Sequence, residues 1–369
     1  MKLLLVAGAR PNFMKVAPLM KAIHAHNSKH EDGNGRIDCI LVHTGQHYDE
    51  RMSGIFFAEL QIPPPDINLQ VGSGTHAVQT ANVMAKFEPI CEKQKPDWLV
   101  VVGDVNSTLA CTLVASKLGV KVAHLEAGLR SFDRTMPEEI NRLLTDQISD
   151  LLLTHSPEAK ENLIREGVAA ETIHLVGNTM IDTLVRLMPL AEDRWPSLRA
   201  QFGFERFILV TLHRPSNVDT AHGLTEIISA LNQVSEDLPV VFPVHPRTRK
   251  RIVEYSIDLR EKVRLTEPIG YVDFLALQAH SAAVITDSGG VQEETTFLGV
   301  PCLTVRNNTE RPITIEQGTN QLVPRQCASI VATIHNAIAQ PRDTHPRHPE
   351  FWDGKAAERI VALFRKLRT

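Results

Sequence analysis

The chain has no long hydrophobic run, no surplus of either charge and no paired cysteines, and each absence removes a class of protein. Across 369 residues, 39 Lys and Arg stand against 43 Asp and Glu, a net charge of -4. So even a balance leaves no electrostatic footprint for nucleic acid or for an anionic membrane surface. An anionic ligand must then be met by a local site. No apolar run approaches the roughly 20 residues that a membrane-spanning helix needs. The opening Met1-Lys2-Leu3-Leu4-Leu5-Val6-Ala7-Gly8 reaches Arg10 at once; it is too short for a signal peptide and reads as a buried first strand. The five cysteines, Cys39, Cys91, Cys111, Cys302 and Cys327, stand singly, as small buried thiols do in a reducing cytoplasm. The 16 histidines lack clustered ligand spacing, so no metal is expected. There is no internal repeat and no low-complexity tract.

What the chain has is alternation. Apolar, β-rich runs such as Leu3–Ala7, Cys39–His43, Trp98–Val102, Val120–His124 and Leu151–Thr154 are separated by helical patterns. The pattern restarts at Phe207–Leu212 and continues through Val240–Val244, Ala283–Thr286 and Cys302–Val305. Such alternation predicts α/β architecture with parallel sheets covered by helices. The length suits two domains. We expect two Rossmann-like, doubly wound domains facing a cleft, over residues 1–185 and 186–353. The Pro-containing stretch Met188–Gly203 reads as the linker, and an amphipathic helix near 354–369 can pack back on the first domain.

The motifs fall at predicted strand ends, where α/β sheets bind ligands. Asp104, after Trp98–Val102, and Glu126, in His124-Leu125-Glu126-Ala127-Gly128-Leu129-Arg130, should emerge at one sheet edge, with Glu138 following in Met136-Pro137-Glu138-Glu139. Converging carboxylates suit proton chemistry. Arg10 and Lys15 lie at the first strand-to-helix turn, where helix amino-terminal donors and two cations suit a diphosphate. Ser288, Gly289 and Gly290 repeat that device in the second half, with Glu294 as an acceptor for ribose hydroxyls and Arg311 beyond. His213 and His245 each end a predicted strand; a histidine there can neutralise phosphate or shuttle a proton. Gly72-Ser73-Gly74 fits the loose dinucleotide pattern, but it does not follow the first strand, and Glu92 falls at a helix end, so no nicotinamide site is expected.

Assembled, these segments closely resemble the non-hydrolysing UDP-N-acetylglucosamine 2-epimerases. The matching pieces are Gly8-Ala9-Arg10-Pro11 with Lys15, Thr44-Gly45-Gln46-His47, Gly103-Asp104, His124 to Arg130 and Pro137 to Arg142. They continue with Gly177-Asn178-Thr179, His213-Arg214, Asp287-Ser288-Gly289-Gly290 and Thr309-Glu310-Arg311-Pro312. The resemblance implies a glycosyltransferase-B-like fold, a cytoplasmic homodimer in polysaccharide biosynthesis, and interconversion of UDP-N-acetylglucosamine and UDP-N-acetylmannosamine without a cofactor. It puts Asp104, Glu126, Glu138 and His213 at catalytic positions. Arg10, Lys15, Ser288, Gly289, Glu294 and Arg311 match UDP-binding positions, with Phe274 near the uracil; Arg130 and Gly290 are counted with the substrate-binding residues. Gln46, Arg214 and His245 match positions that in some members hold a second, activating UDP-N-acetylglucosamine.

Relatives acting on a diacetamido uronic-acid sugar carry similar Ser-Phe and Met-Pro-Glu-Glu segments. A hydrolysing relative that releases UDP and N-acetylmannosamine, and a same-fold glycosyltransferase, are the other readings. Inverting carbon 2 without an adjacent carbonyl or a nicotinamide points to UDP elimination through a glycal and re-addition on the other face.

Overall fold

The computed structural model describes residues 1–29, 35–45, 57, 59–340, 342 and 346–367; within helix α1 the side chain of Arg10 is not described. The chain divides into two compact units, Met1–Thr183 with Glu350–Thr369, and Leu184–Pro349.

In the first unit seven strands are all parallel: β1 (Lys2–Ala7), β2 (Asp38–His43), β3 (Ile67–Asn68), β4 (Trp98–Val102), β5 (Lys121–Leu125), β6 (Leu151–Thr154) and β7 (Ile173–Leu175). Their order is β3-β2-β1-β4-β5-β6-β7. The inner strands are apolar on both faces because helices cover both: Leu3, Leu4, Leu5, Leu99, Val100 and Val101 have no exposed surface. The helices are α1 (Arg10–Asn27), α2 (His76–Gln94), α3 (Asn106–Lys117), α4 (Pro137–Gln147) and α5 (Pro157–Arg165). The order of the sheet reverses direction between β1 and β4, the point at which such sheets take ligands.

The second unit repeats the plan with six parallel strands: β8 (Ile208–Thr211), β9 (Val240–Pro243), β10 (Val263–Thr266), β11 (Ala283–Thr286), β12 (Cys302–Val305) and β13 (Asn320–Val323). They are ordered β10-β9-β8-β11-β12-β13, so the reversal falls between β8 and β11. A separate apolar core, with Ile208, Val210, Ile227, Phe242, Ile285 and Ile330 fully buried, holds it together.

The stretch Met188–Gly203, expected as a linker, is instead helical to Phe202 within α6 (Thr179–Phe202). Buried Leu184, Leu187, Ala191, Leu198 and Phe202 recur at helical spacing. That apolar stripe outweighs Pro189 and Pro196, each of which removes only one backbone donor from a long helix. The remaining helices of the second unit are α7 (Pro215–Val218), α8 (Ala221–Val234), α9 (Pro246–Glu254), α10 (Tyr271–His280), α11 (Gly289–Leu298), α12 (Ile313–Glu316) and α13 (Cys327–Ala339). Thr75, after the Gly72-Ser73-Gly74 turn, caps α2 by accepting the Val78 N–H. The chain then returns to the first unit. Trp352 is fully buried and donates to the His155 carbonyl at 2.9 Å. The Asp182 carboxylate accepts the N–H groups of Ala356 and Ala357 at 3.1 and 2.7 Å, capping α14 (Ala356–Lys366), which packs on α1.

Gly128, in the acid-bearing motif, has φ +80°, and a Cβ there would collide with the Ala159 carbonyl. Gly167 has a similar φ of +84° but open space around it. Gly167→Ala should therefore cost only the left-handed penalty, about 1–2 kcal/mol. Gly128→Ala should add about 1–3 kcal/mol of overpacking. Denaturant midpoints of the two variants test this, and equal losses would contradict the packing account.

Candidate functional site

In the first unit the site is built on the ends of β1, β4 and β5. Asn12 clamps two of them: its Oδ1 accepts the N–H groups of Gly8 and Ala9 at 3.1 and 2.9 Å, while its Nδ2 donates to the Val102 carbonyl at 3.2 Å. The turn after β1 is thereby tied to the end of β4. Lys15, on the second turn of α1, donates to the Glu126 carboxylate, and both side chains are about nine-tenths buried. Glu126 sits at the end of β5 with φ +75°. A non-glycine residue held there costs about 1–3 kcal/mol, and such strain collects at functional sites. The bend is fixed because the N–H groups of Glu126 and Ala127 both donate to the Leu153 carbonyl. Gly103 separates the two acids' strands, and a Cβ on it would lie 3.6 Å from Glu126 Oε2 and 3.7 Å from Lys15 Nζ. Asp104 is the next residue.

Helix α4 supplies the other partners. Asn141 donates to the Asp104 carbonyl at 2.9 Å, and Arg142 pairs with the Asp104 carboxylate. Arg142 also reaches Glu139 through Nε and Nη2, at 3.0 and 2.6 Å. Glu139 in turn accepts the N–H groups of Ser131 and Phe132 at 3.0 and 2.9 Å. Burial alone would push the Glu139 carboxyl up, but those N–H donors and Arg142 hold it below the ordinary range. Glu138 is exposed on the first turn of α4, one helical turn before Arg142 and on the same face.

Beneath this edge lies a buried charge cluster. His124 presents Nδ1 to Asp146 at 2.6 Å and Nε2 to the Gly103 carbonyl at 2.8 Å. Both ring nitrogens thus face oxygens that can accept a hydrogen bond. Asp146 also accepts the Gly128 N–H and pairs with Arg130 at 2.7 Å. Its own burial raises its carboxyl, yet His124 and Arg130 outweigh that and leave it depressed. His124 thus aims the peptide that precedes Asp104.

In the second unit the register aligns Thr211 of β8 with Thr286 of β11, so the residues just beyond, His213 and Asp287, meet. The buried Asp287 carboxylate accepts the N–H groups of His213 and Arg214 and the Asn217 amide, at 2.9–3.1 Å. It also pairs with His213 Nδ1 at 3.0 Å. Ser288, Gly289 and Gly290 are partly exposed at the start of α11. The Arg311 guanidinium packs where a Cβ of Gly289 would stand, and is held by Glu293 at 2.6 Å and by Glu310. Glu294, two per cent exposed, accepts the Tyr271 hydroxyl at 2.8 Å, and burial pushes its carboxyl up to about 7. Phe274 is half-buried on the first turn of α10.

Set against the expectations, Lys15 meets Glu126, Asp104 follows the neighbouring strand β4, and Glu138 lies on the helix that engages Asp104. Ser288, Gly289, Gly290, Arg311 and His213 gather at the second reversal point, where Arg214 also lies, its Nε donating to the Asp287 carbonyl at 3.1 Å. Arg130 is a correction: counted as substrate-binding, it is two per cent exposed and fully engaged by Asp146, Glu166 and the Leu129 carbonyl. His245 is exposed and caps α9, its Nδ1 accepting the Arg247 N–H. Gln46 lies outside the described residues. Sequence reasoning missed Asn12, Arg142, Asp146 and Asp287 as partners, because the fold alone brings them to their targets. Among the described residues no group of three or more His, Cys, Asp or Glu side chains is arranged to hold a metal ion, and no helix is long and apolar enough to cross a membrane.

Residues 29–365 match the family model described as UDP-N-acetylglucosamine 2-epimerase. The chain is 43% identical, over 98% of each sequence, to the UDP-N-acetylglucosamine 2-epimerase of Methanocaldococcus jannaschii. It is 41% identical, over 100% of each, to the UDP-2,3-diacetamido-2,3-dideoxy-D-glucuronate 2-epimerase of Pseudomonas aeruginosa. The crystal structure of the Methanocaldococcus jannaschii UDP-GlcNAc 2-epimerase in complex with UDP-GlcNAc and UDP is similar to it with a TM-score of 0.89 at 43% identity, over 99% of this chain and 100% of that one.

Removing the charge of Asp146 leaves His124 and Arg130 buried without it, so Asp146→Asn should lose about 3–5 kcal/mol of stability at pH 7. The folded carboxyl is depressed, so its contribution is full above the ordinary carboxylate range and is lost as pH falls through the depressed value. Unfolding measured at pH 7 and below pH 4 should show the gap between the two proteins closing in acid. A constant gap would contradict the charge account.

Proposed function

The chain belongs to the UDP-N-acetylglucosamine 2-epimerase family, and on that premise we propose that it inverts carbon 2 of UDP-N-acetylglucosamine to give UDP-N-acetylmannosamine. The observation that carries the reading is Glu126, an acid held in a strained backbone at a strand end and paired to Lys15 behind a turn suited to a diphosphate.

Carbon 2 has no neighbouring carbonyl, so loss of its proton must accompany departure of UDP. A carboxylate takes the proton, the C–H electrons form a C1–C2 double bond, and the C1–O electron pair leaves on the β-phosphate oxygen. UDP and a 2-acetamidoglucal result. Return adds a proton to the opposite face of carbon 2, and the same UDP oxygen closes on carbon 1, so atoms and electrons balance. Two faces require two proton-handling groups, and Asp104, Glu126 and Glu138 supply them. Lys15 and Arg142 hold Glu126 and Asp104 in place through ion pairs, and whichever carboxyl returns the proton does so from its protonated form. Charge that grows on the diphosphate calls for cations and backbone donors, which Arg10 and Lys15 offer in the first unit and which His213, Arg311 and the α11 terminus at Ser288, Gly289 and Gly290 offer in the second. Glu294 takes the ribose hydroxyls and Phe274 lies by the uracil. The family resemblance also supports a cytoplasmic homodimer, and a second UDP-N-acetylglucosamine at Arg214 and His245 with Gln46.

The second reading, a diacetamido uronate substrate, rests on the near-equal identity to the Pseudomonas aeruginosa enzyme. A proton NMR time course with each sugar nucleotide separates them, and the faster substrate decides. Steady release of free UDP would identify a hydrolase instead. An unchanged spectrum in the absence of an acceptor would identify a glycosyltransferase.

Glu126→Gln should keep UDP affinity within about threefold while lowering kcat by about 10²–10⁴, the span of a general acid–base group. Near-normal turnover would remove Glu126 from the chemistry. Ribose hydroxyls donate to the ionised Glu294, so binding the sugar nucleotide lowers a carboxyl that starts at about 7. Proton release should accompany binding at pH 6.5, and affinity should rise with pH through 7. Calorimetry with UDP-N-acetylglucosamine in two buffers of different ionisation enthalpy checks this; a Glu294→Gln variant that releases the same protons would contradict it.

A further inference from the structure

We propose that Asp287 is a positioning residue for His213, fixing which ring nitrogen meets the substrate and locking that ring to the phosphate-binding helix start. This rests on the reading of His213 as a group that faces the diphosphate.

β8 and β11 are parallel neighbours in register at Thr211 and Thr286, so the turns after them run side by side at the reversal point. Asp287 is wholly buried in that turn. Its carboxylate gathers donors from one segment: the His213 N–H at 3.1 Å, the Arg214 N–H at 2.9 Å, and the Asn217 amide at 3.0 Å. Asn217 also donates to the Val305 carbonyl at 3.0 Å, bracing the cluster against β12. A buried carboxylate that accepts so many donors is ionised and can only accept. His213 Nδ1, 3.0 Å from Oδ1, must therefore carry its proton toward Asp287.

One nitrogen is thereby committed. Nε2 remains, on a side chain 55% exposed. In the neutral ring it carries the lone pair and can take up a proton, after which it is a donor. Asp287 is also the residue before Ser288, which opens α11. The Arg214 Nε bond to the Asp287 carbonyl, 3.1 Å, closes the loop from the other side. The histidine and the helix terminus thus form one rigid group, so Nε2 is held relative to the backbone donors that receive phosphate. In the elimination step the C1–O electron pair moves onto a β-phosphate oxygen, and Nε2, once it has taken up a proton, donates a hydrogen bond to that oxygen while Nδ1–H stays on Asp287. Wrong tautomers are excluded before substrate arrives, which is the preorganisation that makes such groups effective.

Asp287→Asn keeps an oxygen for the backbone donors but removes the charge that dictates the tautomer. Nitrogen-15 NMR of the full-length protein should show neutral His213 protonated on Nδ1, and a mixture of tautomers in Asp287→Asn. kcat should fall by about 10²–10⁴, as expected for a misoriented base or acid, with UDP affinity within about threefold. In a His213→Gln background the same substitution should cost no further activity, because it acts through the ring. An unchanged tautomer, or an added loss in the double variant, would overturn the inference and leave Asp287 a loop anchor. His213→Gln with full turnover would instead overturn the reading of His213, a result independent of the tautomer spectrum.

Discussion

Lys15 and Glu126 meet where neither charge could be buried by itself, and much of the first unit is arranged so that they do. Burying one ion costs several kcal/mol, whereas a well-placed partner repays most of it. The pairing therefore dictates where α1 must lie against the end of β5. Gly103 stands beside the pair because its φ of +66° is one that few side-chain-bearing residues adopt. The same rule spreads outward through Asp104 with Arg142, Arg142 with Glu139, and Asp146 with His124 and Arg130. Each of these acids is held by a cationic side chain, and only Glu139 and Arg142 share an element, helix α4. Such a chain of pairs contributes little to net stability. Its value is to hold the carboxylates in place and aimed.

Both units place their chemistry at the same topological point. In each sheet the strand order reverses beside the first strand, and the turns on either side of that reversal carry the functional residues: Gly8 to Lys15 and Gly103-Asp104 in one, His213-Arg214 and Asp287 to Gly290 in the other. Parallel strands are what make this possible, because all their carboxyl ends share one edge. The division of labour follows from composition. The first unit supplies several acids there, and the second supplies a helix terminus, arginines and a histidine suited to an anion.

The two sheets and most helices were legible in the sequence because apolar runs with no polar alternation, such as Leu3 to Ala7, can only be strands buried on both faces. The acids were legible because each closes such a run. What could not be seen were relations across the sheet. Nothing local to Arg142 or Asn141 marks them as partners of Asp104, some 37 residues earlier. Asp287 looked like part of a phosphate turn, and its hold on His213 exists only because β8 and β11 are neighbours. Arg130 misled for the same reason: its charge, plausible for a ligand, is consumed by Asp146 and Glu166. Met188–Gly203 misled through its prolines, when the spacing of Leu184, Leu187, Ala191 and Leu198 already carried the helix.

The account stands on one chemical claim, that the carboxylates at the sheet edge exchange the proton on carbon 2 while UDP departs and returns. Incubating the protein with UDP-N-acetylglucosamine in deuterated water and reading carbon 2 by NMR tests it most directly. Epimer bearing deuterium at carbon 2, with the same label appearing in recovered substrate as the reaction reverses, is the predicted result. Epimer formed with its original proton retained would contradict it.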